Sequence, residues 1–267
     1  MSMKIIKKRR IISKKYDINE IYKLRRSHIE WRLKEMDNFH KYPKIAAICP
    51  SIRVNENYEN IIVNFIYQRY PITEKIVVTS LYVEPEVEEL FLFHNIKIIK
   101  SERMNIGCGM NTAIENTNCD LITKMDDDNY YYDNFLYDLY LMKEYNKDYS
   151  IVGKRSTFIL FDNSELYINV PDKINMPNDC VVGAALLYDR EVWESSKYPE
   201  YDSSGEDTKF RLDAIENGFK VYASDPFNFI NCRNSNSHNH TWDMTKNDFI
   251  KKGRCKYIGN DKSIVEC

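Results

Sequence analysis

The alternation of short apolar runs with helical stretches between residues 44 and 125 constrains the fold more than any other feature. Lys44-Ile-Ala-Ala-Ile-Cys49, Lys75-Ile-Val-Val-Thr79, Ile96-Lys-Ile-Ile99 and Asp120-Leu-Ile-Thr-Lys-Met125 have the length and apolar content of buried strands. Pro50 stops the first. Glu56 to Tyr67 carries Ile61, Ile62, Phe65 and Ile66 at helical spacing before Pro71 breaks it, and Glu86 to His94 and Met110 to Asn116 also suit helices. Strands joined by helices of about ten residues imply βαβ units, hence a mostly parallel sheet with helices on both faces. Such sheets bind ligands beyond the carboxyl ends of their strands.

The second half is mixed. Ser150 to Lys154 and Ser156 to Phe161 alternate like strands, and Asp162-Asn-Ser164 reads as a turn that returns Glu165 to Val170 as a hairpin partner. Cys180 to Tyr188 reads as a further strand and Val192-Trp193 as part of a short helix. Gly205-Glu206-Asp207 opens a helix that Gly218 closes, and Lys220 to Ala223 reads as a late strand.

Residues 1–42 differ from the rest. Asp17-Ile-Asn-Glu20 has capping-box spacing, and Ile18, Ile21, Tyr22, Leu24, His28, Ile29, Trp31, Arg32, Leu33 and Met36 fit a long amphipathic helix. The basic residues Lys7-Lys8-Arg9-Arg10, Lys14, Lys15, Arg25 and Arg26 read as a solvated face or as a peripheral contact with an anionic membrane surface. The expected organisation is a basic helical extension over 1–42, one α/β domain over 43–243 and a tail over 244–267. Lys+Arg 38 against Asp+Glu 40 gives a net charge of -2, so no nucleic-acid partner is expected. The seven cysteines have no C-x-x-C spacing, and neither a secretory leader nor a membrane-spanning run is present, so the expected location is cytoplasmic.

Asp126, Asp127 and Asp128 close the fourth apolar run and bring their carboxylates to one sheet edge. Carboxylates so placed repel one another unless a cation neutralises them. Hard cations such as Mg²⁺ and Mn²⁺ prefer these oxygen ligands, and Mg²⁺ commonly bridges one or two carboxylates to substrate phosphates. The other reading is an acidic turn or helix N-cap at a solvated surface. An EF-hand calcium loop is excluded, because Tyr130 and Tyr131 stand where it needs Asp or Asn and then Gly.

Taken in order, several segments resemble a family-2 glycosyltransferase of the GT-A fold. They are Ile45-Ala-Ala-Ile-Cys-Pro50-Ser51-Ile-Arg53-Val-Asn55-Glu56, Asn105-Ile-Gly107-Cys-Gly109-Met-Asn111, Asp126-Asp127-Asp128 at the place of that family's DXD motif, Val182-Gly183-Ala184-Ala185, Gly205-Glu206-Asp207, and His238-Asn-His240-Thr-Trp242. The resemblance covers residues 44–243. It implies an α/β, Rossmann-like fold with a mostly parallel central sheet. It also implies transfer of a sugar from a nucleotide-diphosphate sugar to a glycan or lipid-linked acceptor hydroxyl, as in glycan or surface-polysaccharide synthesis. Pro50, Ser51, Arg53, Asn105, Gly107, Asn111, Asp126 and Asp127 would line the donor site. Asp126, Asp128 and His240, with His238 as a competitor, would hold Mn²⁺ or Mg²⁺. Gly183, Ala184 and Trp242 would face the acceptor, and Asp207 with Glu206 would be catalytic. Two departures stand out: the second strand ends in Thr79-Ser80, where the family often has an aspartate that touches the donor base, and Ser51 and Arg53 replace a Thr-Tyr-Asn pattern.

Such a transfer requires a neutralised leaving diphosphate, a deprotonated acceptor hydroxyl and in-line placement of both. A metal at Asp126 and Asp128 would act as Lewis acid. Asp127 would point away from them, because neighbours on an extended chain face opposite sides, or contact a sugar hydroxyl. Asp207 at a helix N-terminus stays anionic and would be the general base; otherwise Glu206 and Asp207 only cap that helix. One base without a second carboxylate nucleophile implies displacement with inversion. Gly107 and Gly109 read as a donor-site loop, Lys154-Arg155 as an anion contact or a solvated pair, and Trp242 as a sugar platform or a core residue. The rivals are a nucleotidyltransferase on a related sheet and a catalytically silent nucleotide- or carbohydrate-binding scaffold.

Overall fold

The computed structural model describes residues 18–36, 42–103, 105–202, 204–233, 246–251 and 255–267. In chain order the elements begin with α1 (Ile18–Met36), β1 (Ile45–Pro50), α2 (Val54–Ile66), β2 (Glu74–Thr79), α3 (Pro85–Phe93), β3 (Ile96–Lys100), α4 (Ile106–Glu115) and β4 (Leu121–Lys124). They continue with β5 (Tyr130–Tyr131), α5 (Phe135–Tyr145), β6 (Ile151–Lys154), β7 (Thr157–Phe161), β8 (Glu165–Asn169), β9 (Met176–Pro177) and β10 (Leu186–Asp189). The last are α6 (Arg190–Ser195), α7 (Glu206–Glu216), β11 (Val221–Ser224), β12 (Phe229–Arg233), α8 (Lys246–Lys251) and β13 (Cys255–Gly259).

The main sheet runs β3-β2-β1-β4-β10-β6-β11-β9. β1 lies parallel to both β2 and β4, with Ile48 opposite Ile76 on one side and Lys124 on the other. β10 runs against both of its neighbours, and β11 returns parallel to β6. This is the mostly parallel α/β architecture that the alternating runs imply. All of β1 is buried, as a strand covered on both faces must be. Ile45, Ala47 and Cys49 pack with residues of α2, α3 and α5, whereas Ala46 and Ile48 pack with residues of α4, α6 and α7. From β1 the chain builds outward through β2 and β3, then crosses back to β4 on the far side. The carboxyl ends of β1 and β4 therefore part at a topological switch point, the crevice where such sheets take ligands.

A second sheet, β13-β8-β7-β12-β5, covers the other half. β7 and β8 form the expected hairpin. Its turn is closed by Ser164 N–H on the Phe161 carbonyl at 3.0 Å, with Asp162 and Asn163 both left-handed, at φ 50° and 58°.

Three expectations change. The strand expected over 180–188 forms only from Leu186. Residues 182–185 make a tight turn instead, with Ala185 N–H on the Val182 carbonyl at 3.0 Å. Helix α4 begins at Ile106, because the Asn105 side chain caps it by accepting from Cys108 N–H at 2.8 Å, so Gly107 and Gly109 lie inside a helix rather than in a loop. The buried face of α1 is Ile21, His28, Arg32 and Glu35, while Ile18, Tyr22 and Leu33 are exposed.

Polar residues of α1 turn inward because buried carboxylates await them. His28 Nε2 lies 2.9 Å from Asp138 of α5 and 3.8 Å from Asp225, as ion-pair contacts rather than aligned hydrogen bonds. Arg32 reaches Asp138 at 3.4 Å and donates to the Cys267 carbonyl at 2.6 Å, and Lys154 pairs with Asp225 at 3.3 Å. Arg25 donates to the Glu266 carbonyl, so part of the basic cluster ties α1 to residues 255–267. Residues 1–17 lie outside the described residues. Among the described residues no helix is long and apolar enough to cross a membrane.

Burial alone would lower the His28 pKa, but the Asp225 and Asp138 carboxylates outweigh it and hold the imidazolium above the ordinary 6.5. A histidine raised in this way contributes fully below its unfolded pKa, and the contribution is lost as pH rises through the folded value. His28→Ala should cost about 3 kcal/mol near pH 6, with a smaller loss in alkaline buffer, as for breaking a buried pair. Urea denaturation across this range checks it; an equal loss at both ends would contradict the assignment.

Candidate active site

The crevice at the switch point is built from backbone outward. β1 ends at Pro50, and Ser51 N–H binds the Val78 carbonyl of β2 at 2.9 Å. Ser51 Oγ then accepts from Arg53 N–H at 3.0 Å, a local turn that starts α2. One stripe of α2 and its exit is amide rather than apolar. Asn60 donates to the carbonyls of Asp127 and Asn129, at 2.8 and 3.0 Å, and Asn64 both donates to the Asn129 carbonyl and accepts from Tyr131 N–H. Gln68 donates to the carbonyls of Tyr131 and Tyr132 and accepts from Leu136 N–H. Residues four apart on a helix share a face, so this ladder fixes the loop that leaves β4.

That loop carries the aspartates. Asp127 is buried and accepts from Ser51 Oγ and from an Arg53 guanidinium nitrogen, both at 2.6 Å. The same nitrogen reaches Asp128 at 3.0 Å. The Asp126 and Asp128 side chains are 25% and 24% exposed, so their oxygens face the open side. Lys124, the last residue of β4, is buried and spans Asp126 at 3.3 Å and Asp207 at 2.8 Å. Asp207 enters from α7, which Gly205 opens at φ 118°, a left-handed conformation that suits glycine. Asp207 Oδ1 is buried and has no hydrogen-bond partner among the described residues. A Cβ on Gly183 would collide with the Asp207 carboxylate, which explains the glycine in the turn over 182–185. Tyr131 closes the frame: its hydroxyl donates to the Ala184 carbonyl and accepts from Asp126 N–H, each at 2.8 Å.

Crowding sets the electrostatics. Burial, reinforced by Asp128, Asp207 and Asp127 against the pull of Lys124, pushes the Asp126 carboxyl up to about 7. Burial and Asp207 raise Glu206. Burial and the three neighbouring aspartates push the Cys49 thiol up. Burial would lower the Lys124 pKa, yet Asp126 and Asp207 outweigh it and keep the ammonium charged.

No family model matches the chain, and no curated protein sequence matches it. Solved structures do match. S. aureus TarS 1–349 aligns with a TM-score of 0.58 at 17% identity, over 71% of this chain and 60% of that one. The same protein in complex with UDP-GlcNAc aligns at 0.59 and 16% identity, over 78% and 64% of the two chains. The mannosyltransferase PcManGT from Pyrobaculum calidifontis, in complex with GDP-Man and Mn²⁺, aligns at 0.58 and 14% identity, over 83% and 69%. This chain has the GT-A fold. It spans less than two thirds of both TarS 1–349 chains.

Within the GT-A frame the expected residues separate into two groups. Pro50, Ser51, Arg53, Asp126, Asp127, Asp128, Gly183, Ala184, Glu206 and Asp207 surround the crevice. Asn105, Gly107 and Asn111 belong to its margin. Asn105 caps α4, Gly107 packs against the Pro199 carbonyl, and the Asn111 amide is consumed by Tyr198, Trp193 and Glu200. Their contact with any ligand would run through residues 198–202, which they hold. Lys154 is buried on Asp225, away from solvent. His238, His240 and Trp242 lie outside the described residues. Sequence reasoning passed over Lys124, Tyr131 and the Asn60–Asn64–Gln68 ladder. A lysine inside a buried apolar run and amides at four-residue spacing were the signals for two of these.

The donor set suits a hard divalent cation: two partly exposed carboxylates in a strongly negative field, with the third turned aside. Among the described residues the only group of three or more such ligands that converges is His28, Asp138 and Cys267, in the α1 contact and not here. A cation held in the crevice would need further oxygens from a ligand, as Mg²⁺ sites commonly do.

Lys124→Met would leave Asp126 and Asp207 without their shared counter-charge. We expect a loss of about 2 kcal/mol, reduced from the fully buried case by the partial exposure of both carboxylates. Adding Asp207→Asn should recover part of it. Urea denaturation measures both, and a double variant less stable than the single one would contradict the pairing.

Proposed function

We propose that this chain is a metal-dependent, inverting glycosyltransferase that moves a sugar from a nucleoside-diphosphate sugar to an acceptor hydroxyl. One observation carries the reading: Asp207 sits opposite the open Asp126–Asp128 pair at the switch point, tied to it by Lys124 and pressed against Gly183. The sugar-nucleotide complexes among the similar structures support the substrate class, and the Mn²⁺ in one of them supports the cation.

Asp126 and Asp128 would hold Mn²⁺ or Mg²⁺, which neutralises the leaving nucleoside diphosphate. Ser51 and Arg53 border the diphosphate end of the donor. Asp207, whose side chain is partly exposed, takes the acceptor proton as the acceptor oxygen bonds to the anomeric carbon and the phosphate oxygen departs. The ammonium of Lys124 on Oδ2 keeps that carboxylate aimed at the crevice. Gly183 and Ala184 form the acceptor-side floor. Attack opposite the leaving group gives inversion, and a glycan or lipid-linked acceptor fits the reading. Residues 1–17 supply the basic charge for peripheral contact with an anionic surface.

Thermal stability in a panel of UDP-, GDP- and CDP-sugars with Mn²⁺, then with EDTA, tests the donor class. One nucleotide should raise the melting temperature, and EDTA should reverse the rise; no shift with any donor would remove the reading. Asp128→Ala should abolish the metal-dependent shift with the fold intact. Asp207→Asn should keep donor binding and cut turnover by roughly 10²–10⁴. Near-wild-type transfer by Asp207→Asn would sink the general-base role.

A further inference from the structure

Arg53 holds the aspartate triplet in an unusual way. A guanidinium presents five N–H donors in a planar fork and pairs two-to-two with a carboxylate or phosphate. Here a single terminal nitrogen is shared between Asp127, at 2.6 Å, and Asp128, at 3.0 Å. The Nε of the same group is buried with no hydrogen-bond partner among the described residues. The two carboxylates are unequal hosts. Asp127 is buried and also accepts from Ser51 Oγ at 2.6 Å, whereas Asp128 is partly exposed and lies in the field of Arg233 as well. Arg53 is thus fixed at one end and exchangeable at the other, with donors to spare.

A divalent cation on Asp128 would need the charge that Arg53 already neutralises, and two cations a few ångströms apart repel. We infer that Arg53 is a resident counter-cation of Asp128 in the free chain, hydrogen-bonded to it while Arg233 adds its charge nearby, and that Arg53 exchanges places with the divalent cation when a donor binds. The guanidinium stays anchored on Asp127, releases Asp128, and turns its spare donors to the anionic oxygens of the nucleoside diphosphate. Metal and nucleotide then bind as a coupled pair, each raising the other's affinity by the same factor. This inference rests on the donor site proposed above, but its core, the competition between Arg53 and the metal for Asp128, can be measured without a sugar or an acceptor.

The test is Mn²⁺ binding to the full chain, followed by the electron paramagnetic resonance of unbound Mn²⁺, with and without UDP or GDP. Wild type should bind Mn²⁺ weakly alone and about tenfold more tightly with the matching nucleotide. Arg53→Met should bind Mn²⁺ alone about tenfold more tightly than wild type and lose most of the nucleotide dependence. Arg53→Gln should do the same, and serves if the methionine variant does not fold by its melting curve. Adding Asp128→Asn to either variant should erase the gain. Affinity for Mn²⁺ alone that is unchanged or weaker in the Arg53 variants would overturn the inference, as would a gain that survives Asp128→Asn. If neither UDP nor GDP helps wild type bind Mn²⁺, the donor site fails. The comparison of Arg53 variants with Mn²⁺ alone still decides the exchange.

Discussion

Repulsion among carboxylates gathered at one sheet edge is the constraint that organises this molecule. Asp126, Asp127, Asp128, Glu206 and Asp207 meet where β1 and β4 part, and water alone does not relieve them because the crevice is partly buried. The fold answers with cations of its own: Lys124 between Asp126 and Asp207, and Arg53 anchored on Asp127 and reaching Asp128. Asp126 remains strained, with its carboxyl pushed up to about 7. Removing a counter-charge from such a group costs more than the pair gains by forming, so these cations are structural before they are functional. The residual demand for positive charge on the open side is the ground for proposing that a divalent cation, and with it a diphosphate, binds there.

Precision at this edge comes from the elements behind it. The amide ladder of α2 fixes the backbone of residues 127–132, so Asp127 faces inward and its neighbours face outward. Tyr131 then ties the same loop to the turn over 182–185, and that turn, through Gly183, meets Asp207. Loop, turn and helix start form one rigid assembly although they come from distant parts of the chain. A similar device operates at the far end, where α1 is held by Ile21 in the core and by His28 and Arg32 on Asp138. Buried charges of this kind find their counter-charges only in one arrangement, and so favour it.

The parallel half of the fold was legible because its physics is local. Strands covered on both faces are largely apolar, as are β1, Ile76–Val78 of β2 and Leu121–Ile122 of β4. Helix α5 was not legible for the opposite reason: Phe135 to Lys143 is buried all round, so no apolar face alternates with a polar one. The 182–185 turn hid inside an apolar run because the groups packed against it, the Asp207 carboxylate on Gly183 and the Tyr131 hydroxyl on the Ala184 carbonyl, lie far away in sequence. The face of α1 was legible in part: Ile21, His28 and Arg32 of the expected set are buried, whereas Ile18, Tyr22 and Leu33 are exposed and Glu35 is buried, because the partners that draw this face inward, Asp138 and Asp225, lie far along the sequence. At the site, the aspartates and Gly205-Glu206-Asp207 announced themselves as charge and glycine at strand and helix ends. Lys124 and the amide ladder act through partners that only the fold supplies.

The central claim is that the open face of Asp126–Asp128 receives a divalent cation together with a nucleoside diphosphate. A crystal of the full chain grown with Mn²⁺ and UDP or GDP, with data collected at the manganese absorption edge, tests it directly. The account predicts one anomalous peak within coordination distance of Asp128 and of diphosphate oxygens, with Asp127 still turned to Ser51. A peak at His28, Asp138 and Cys267 alone, or nucleotide bound without manganese at the aspartates, would contradict it.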